Sequence, residues 1–430
     1  MNRVRARAIS LLAAAVVVLV LGACGSKAST SVTVTNASPS ANVGAASAAL
    51  ATQATNGLAL KMLARIGAPG RNVVFSPYSV QSALAMVSAG AAGQTASQIG
   101  RVLAAADLQS LHASNAKLAA ALARATTPPH GTRPADAARL RIANGLFTQS
   151  GLRLAPAFVA TLRGDFGAAP QLVDFRSRPA ATRRRINAWV AARTGNRIEQ
   201  LMPAGTITSQ TALVLANAMY LRAHWSSPFD PASTAPGSFF TGPRSRVSAP
   251  FMTQDPLQLP YGHAAGYQEV ELPYLDSSLS LLVVMPRAGT LPSFERSLDA
   301  AALAGLQRAL APRLVALRMP RFHVDGAQSL DALLPALGMP LAFSDSADFS
   351  GITTQARLKI SRVQHAADLT VDETGTVATA ATGVAVAPTA IASPTRPVRL
   401  TVNHPFLVFL RDDVTGTILF AARVADPTLG

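Results

Sequence analysis

The sequence contains a single cysteine, Cys24, so no intramolecular disulfide can form. Acidic residues are also sparse, 22 against 38 basic ones, and only Lys27, Lys61, Lys117 and Lys359 of the basic set are lysines. The resulting charge of +16 is therefore carried by arginine. A nucleic-acid binder is one reading of that excess, and an alanine- and arginine-rich coding bias is the other. The arginines are scattered, the tightest group being Arg183-Arg184-Arg185, and none is interleaved with aromatics, so no nucleic-acid partner is expected. Charged residues make up only 14% against 49% hydrophobic ones, which argues against disorder over most of the 430 residues.

Enzyme signatures are missing too. There is no Gly-x-Ser-x-Gly elbow and no phosphate-cradling glycine loop. The seven histidines (His112, His130, His224, His263, His323, His365, His404) never recur at a metal-ligand spacing such as i, i+4. No metal, cofactor or catalytic residue is expected. A triad assembled only in space, in an unrelated hydrolase, and a solute-binding lipoprotein stay open as minor alternatives.

The N-terminus reads as an export signal. Arg3, Arg5 and Arg7 precede an apolar stretch, Ile9 to Leu21, that is too short to span a membrane comfortably. It ends in Leu21-Gly22-Ala23-Cys24, which resembles a bacterial lipobox. On that reading residues 1–23 are removed and Cys24 carries lipid, while a stray or buried cysteine is the alternative. The mature chain keeps 35 basic and 22 acidic residues. Residues 24–50, rich in Ser, Thr, Ala, Asn and Gly, read as a flexible tether, and 51–430 as one domain. The protein would sit on the extracytoplasmic side of the membrane, held by its lipid.

Within the domain, Ser76-Pro77 reads as a capped helix start, with the helix running over Tyr78 to Ser88 and Gly90 ending it. A second helix covers about Thr182 to Arg193, stopped by Gly195. Ala212 to Leu221, Leu279 to Met285, Pro405 to Leu410 and Thr417 to Ala422 read as buried strands. Helices dominate the first half and strands the second, an α+β pattern.

The segment Asp372 to Thr401 stands apart. It is a long run of small residues with strand-forming Val and Thr and no proline before Pro388. By composition it is an exposed loop, and loops of that length are functional or disordered. By alternation, Thr376, Ala378, Ala380 and Thr382 share one face of a strand, and all four are small. Both a loop outside and a strand inside are compatible with it.

From about Ala51 to Pro427 the chain resembles the serpins. The resemblance rests on motifs in order: Asn72-Val73-Val74-Phe75-Ser76-Pro77-Tyr78-Ser79, Gly90-Ala91-Ala92-Gly93-Gln94-Thr95 and Ile142-Ala143-Asn144, then Ile186-Asn187-Ala188-Trp189-Val190 and Thr194-Gly195-Asn196-Arg197-Ile198. Leu215 to Leu221 with Trp225 and Phe229, Leu272-Pro273-Tyr274, Ala347-Asp348-Phe349-Ser350-Gly351, His365, Asn403-His404-Pro405-Phe406 and Leu419-Phe420 complete the series.

The resemblance implies three β-sheets, about nine helices and an exposed reactive loop at about 373–397. It implies a suicide-substrate inhibitor of a serine protease: the cut loop inserts into the main sheet and drags the acylated protease along. Glu373, Gly375, Thr376, Ala378, Ala380 and Ala381 match the family's hinge. Thr374 and Val377 depart from it, standing where glutamates are frequent. Ser76, Ser79, Asn217 and His365 match the polar cluster under the main sheet, and Trp225 the tryptophan where insertion starts. Family spacing puts the reactive bond at Thr389–Ala390, to within two or three residues. Small and apolar neighbours there suit an elastase- or subtilisin-like protease. The protein is expected to act as a monomer. A non-inhibitory serpin-fold binding protein at the cell surface is the alternative.

Overall fold

The computed structural model describes residues 39–68, 70–133, 136–376 and 396–429. The helices are α1 (Pro39–Leu63), α2 (Pro77–Ser88), α3 (Gly93–Val102), α4 (Leu108–Ala125), α5 (Pro156–Phe166), α6 (Pro179–Thr194), α7 (Leu291–Ser297), α8 (Ala300–Ala309) and α9 (Leu333–Ala336). The strands are β1 (Val73–Phe75), β2 (Arg139–Gln149), β3 (Gln171–Val173), β4 (Leu213–His224), β5 (Ala235–Gly242), β6 (Ser245–Ala264), β7 (Tyr267–Pro273), β8 (Leu279–Pro286), β9 (Ala311–Pro320), β10 (Phe322–Ser329), β11 (Ile360–Val371), β12 (Gly375–Thr376), β13 (Val398–Thr401), β14 (Phe406–Asp412) and β15 (Thr417–Val424). The α+β expectation and the helix count agree with this set, counted among the described residues.

The main sheet has the order β10-β11-β12-β4-β2-β3. The second runs β1-β15-β14-β8-β7-β6-β9-β13, with β5 on β6. Three sheets were expected, and the hydrogen-bonded networks number two among the described residues. The reason is β6, which continues through both arms of the larger sheet. Its register on β9 breaks between Gln254 and Leu257. Before the break β6 pairs with β5 and after it with β7, while β13 pairs with β9 across the break. Counted as separate arms, these give three layers.

Local chemistry places the helices as the sequence suggests. Ser76 caps α2, its side chain accepting from the Ser79 N–H, with Pro77 in the first turn. Gly195 ends α6 in the left-handed region at φ 67°, a conformation that costs glycine little.

One boundary needs correction. α1 begins at Pro39, and the compact body starts at Ser40, inside the stretch 24–50 expected to be a tether. Ala48, Ala51, Ala54 and Leu58 are buried at helical spacing. Alanine forms helix readily but contrasts weakly with Ser and Thr in hydrophobicity, so the period is hard to see. Residues 1–38 and Cys24 with them lie outside the described residues.

Candidate functional site

The centre of the main sheet is a seam. Strands β4 and β11 run parallel and pair directly from Leu213/Ile360 to Tyr220/Asp368. Beyond that point β12 stands between them. Thr376 pairs with Ala223 of β4 and with Val371 of β11, and Gly375 pairs with His224. Two residues of the expected hinge have thus already entered one end of the seam, while the rest of it is closed.

A tight turn delivers them. Asp372 Oδ1 accepts from the backbone N–H groups of Thr374 and Gly375 and from the Thr374 hydroxyl, and the Asp372 N–H donates to Gly375 O. Gly375 is required by space: a Cβ there would lie 2.0 Å from Ala223 O. Glu373 is 5% exposed, its Oε1 accepting from Thr234 Oγ1 at 2.6 Å and from Arg321 Nη2 at 2.5 Å. Burial pushes the Glu373 carboxyl up, but those two donors outweigh it and leave the pKa lowered. The segment expected to be exposed from 373 onward is therefore buried at Glu373, Gly375 and Thr376 and half-buried at Thr374, because turn, ladder and ion pair all hold it.

Trp225 closes this end. Its backbone N–H donates to Thr374 O and its Nε1 to Asp372 O, both at 2.9 Å. Its ring stacks on Tyr274 with centroids 4.6 Å apart. The Thr376 side chain, fully buried, points to the Tyr274 hydroxyl.

Lower down, the polar residues form one row across the sheet. Strand register sets Asn144 of β2 opposite Asn217 of β4, Asn217 opposite His365 of β11, and His365 opposite Gln328 of β10. The start of α2 lies against this row. The Ser76 N–H donates to His365 Nε2 at 2.8 Å, Ser76 Oγ donates to Met219 Sδ, and Ser79 Oγ donates to Asn144 Oδ1 at 2.6 Å. Nε2 is thus an acceptor and the imidazole is neutral. Burial alone drives its pKa down to about 3. Both polar atoms of Asn217 and Nδ1 of His365 are buried without a partner among the described residues.

Ser76, Ser79, Asn217 and His365 therefore come together, while Trp225, Glu373, Gly375 and Thr376 form a second group at the end of the seam. Ala378, Ala380, Ala381, Thr389 and Ala390 lie outside the described residues. Sequence reasoning missed Asn144 and Gln328 as members of the row, and Tyr274, Thr234 and Arg321 as the hinge's partners. Asn144 and Tyr274 sat in recognised motifs; Gln328, Thr234 and Arg321 gave no local signal.

Comparison with known proteins defines the class. A profile described as serpin (serine protease inhibitor) matches residues 53–427. The chain belongs to the serpin family. It is 32% identical over 370 residues to Serpin-Z1B of Triticum aestivum, covering 83% of this chain and 90% of that one. It is 32% identical over 368 residues to the leukocyte elastase inhibitor of Bos taurus, covering 84% and 94%. Among solved structures it superposes on human thyroxine-binding globulin with a TM-score of 0.76 at 25% identity, over 89% of this chain and 99% of that one.

Proposed function

We propose that this serpin is a suicide-substrate inhibitor that traps a serine protease of elastase-like or subtilisin-like specificity. The observation that carries this reading is the seam: β4 and β11 are paired along most of their length, yet Gly375–Thr376 already occupies the slot between them at one end. The next residues, Val377 to Thr382, are small or β-branched and carry no charge. They can continue the strand that β12 begins.

Energetics set what the insertion requires. Each new ladder hydrogen bond is worth about 0.5–1.5 kcal/mol net. Fixing each residue costs about 1–2 kcal/mol of backbone entropy. These nearly cancel, so the drive must come from burying the small-residue face and relaxing the closed sheet. A metastable uncut state held by a kinetic barrier follows. The reactive bond is assigned to Thr389–Ala390, within two or three residues. Similarity to a leukocyte elastase inhibitor supports a target with a shallow primary pocket.

The test is incubation with elastase-like and subtilisin-like proteases. A covalent complex that survives boiling in detergent is expected. Cleaved loop with fully active protease in every case would overturn it and favour the second reading, a non-inhibitory binding protein, which similarity to thyroxine-binding globulin keeps in view. We also propose that Cys24 is lipidated and holds the protein at the outer face of a membrane. Cys24→Ser should release it to the soluble fraction, and retention in the membrane would refute the anchor.

A further inference from the structure

The foot of the seam, opposite the end that β12 enters, opens into a cavity of about 460 Å³. Gln149, the last residue of β2, and Ala212, just before β4, line it from one half of the sheet. Arg357 and Lys359, in the segment that leads into β11, line it from the other. The cavity thus spans the two strands that part when another strand enters. Contacts already cross the seam here. The Ala212 N–H donates to Ser361 Oγ, and Arg362 Nε donates to Thr206 O, both at 3.0 Å.

Charge in the cavity is unbalanced. Arg176, Arg357 and Lys359 line it against one acid, Asp345. That acid is already engaged, its Oδ1 accepting from Lys359 Nζ at 2.7 Å. Arg176 and Arg357 are exposed, and neither guanidinium has an ion pair or hydrogen bond among the described residues. Ser209 and Gln210, also exposed, add a hydroxyl and an amide to the lining. No aromatic ring is among the lining residues described. The volume falls in the usual range for small-molecule sites, about 300–1,000 Å³. Guanidinium groups pair in a fork with phosphate and carboxylate oxygens.

We propose that this cavity binds a compact, non-aromatic dianion, a molecule with two phosphate or two carboxylate groups, one on Arg176 and one on Arg357. Arg176 follows β3 in the β2–β4 half of the sheet, and Arg357 leads into β11. The ligand therefore adds a bridge to the two hydrogen bonds that cross the foot of the seam. Admitting one strand parts β4 and β11 by about 4.8 Å, which draws the arginines apart and breaks that bridge. The ligand binds the closed sheet more tightly than the opened one, and so holds it closed. This consequence rests on the opening of the seam proposed above; the binding itself does not.

The probes are pyrophosphate and succinate, with phosphate and acetate as one-group controls, in calorimetric titration of the protein. Saturable binding of a two-group probe is expected, at least about tenfold tighter than that of its one-group control. Tighter pyrophosphate assigns phosphate groups to the natural ligand, and tighter succinate assigns carboxylates. Arg176→Gln and Arg357→Gln should each weaken binding by about tenfold. Arg246→Gln, which removes an exposed arginine near the start of β6, should leave it unchanged. That control separates the site from the general attraction of a chain of charge +16. Hydrogen exchange read by mass spectrometry then reports on the seam. At saturating probe the amides of 213–220 and 360–368 should exchange several-fold more slowly in the wild type and at an unchanged rate in Arg357→Gln. Neither measurement involves a protease, so a chain that traps none still tests the site. No saturable binding at millimolar probe, equal affinity for the one-group controls, or a loss in Arg246→Gln as large as in Arg357→Gln would overturn the site. Unchanged exchange at saturation would overturn its hold on the seam.

Discussion

The hydroxyl of Thr376 lies 2.5 Å from the hydroxyl of Tyr274, and neither side chain reaches solvent. One is the second residue of β12, and the other lies beneath Trp225. The contact fixes which way the incoming strand faces. Residues at even steps from Thr376 then point to the same interior side, which is where Ala378, Ala380 and Thr382 would follow.

Thr376→Arg forces a guanidinium into that interior, where an unpaired charge is far more costly than any ladder bond gained. The expected outcome is a loop that is cut but does not insert. Electrophoresis in detergent should show cleaved protein in place of covalent complex, with the protease regaining activity. Thr376→Ser, which keeps the hydroxyl, should retain the complex. Inhibition undiminished in Thr376→Arg would mean that the register of β12 is wrong.

Gly375→Ala tests the approach of the turn to β4. The added methyl would lie 2.0 Å from Ala223 O and 2.8 Å from His224 Cα, both β4 backbone, which cannot swing aside as a flexible side chain could. The hinge should withdraw from the seam. Proteolysis by an enzyme without preference for the loop should then cut the 372–376 turn, which the wild type holds against β4 by ladder and ion pair. Equal resistance of both proteins would show that the turn tolerates the methyl.

Much of this arrangement is legible in the chain, and the remainder is hidden for physical reasons. Ser76-Pro77 and Gly195 mark helix ends through local backbone chemistry, so sequence alone finds them. Thr376 is placed by strand alternation, a period of two that needs no partner. The row Asn144, Asn217, His365 and Gln328 is different. Its members come from four strands, and only their register aligns them. Arg321 and Thr234 meet Glu373 for the same reason, across 52 and 139 positions of chain. The start of α1 is hidden by composition, since its buried stripe is alanine.

His365 makes the seam acid-sensitive. Its imidazole is neutral when folded, with a pKa pushed down to about 3, and titrates near 6.5 when unfolded. The unfolded chain therefore binds the extra proton between those values. Stability from this group is complete above about 6.5 and falls as pH drops toward 3. Urea midpoints at fixed incubation time, taken from pH 7 to pH 4, should fall more steeply for the wild type than for His365→Gln. Parallel curves would show that the imidazole does not titrate on opening.

Glu269 gives the opposite slope. It lies on β7, wholly buried, with neither carboxyl oxygen partnered among the described residues. Burial pushes its pKa up to about 8; Arg411 pulls it back in part, and the neighbouring Glu271 adds to the rise. The Arg411 guanidinium is itself engaged by Glu271, which leaves it less to give. The folded protein thus keeps a proton on Glu269 at neutral pH that the unfolded chain has lost above about 4.5. Its stabilising contribution is complete below that value and is lost as pH rises through about 8. Asp413, raised to about 6 chiefly by burial, acts in the same sense over a lower window. Glu269→Gln keeps the shape and removes the titration. Between pH 5 and pH 9 its urea midpoint should decline less than that of the wild type, and the two should converge toward acid. The windows of Glu269 and His365 overlap between about 4.5 and 6.5 with opposite signs, so a flat wild-type curve there is compatible with both groups titrating. The single variants separate them: His365→Gln should tilt that region downward with rising pH, and Glu269→Gln should tilt it upward. If both variants tilt the same way, one of the two assignments is wrong, and the variant whose slope departs from its stated sign identifies which.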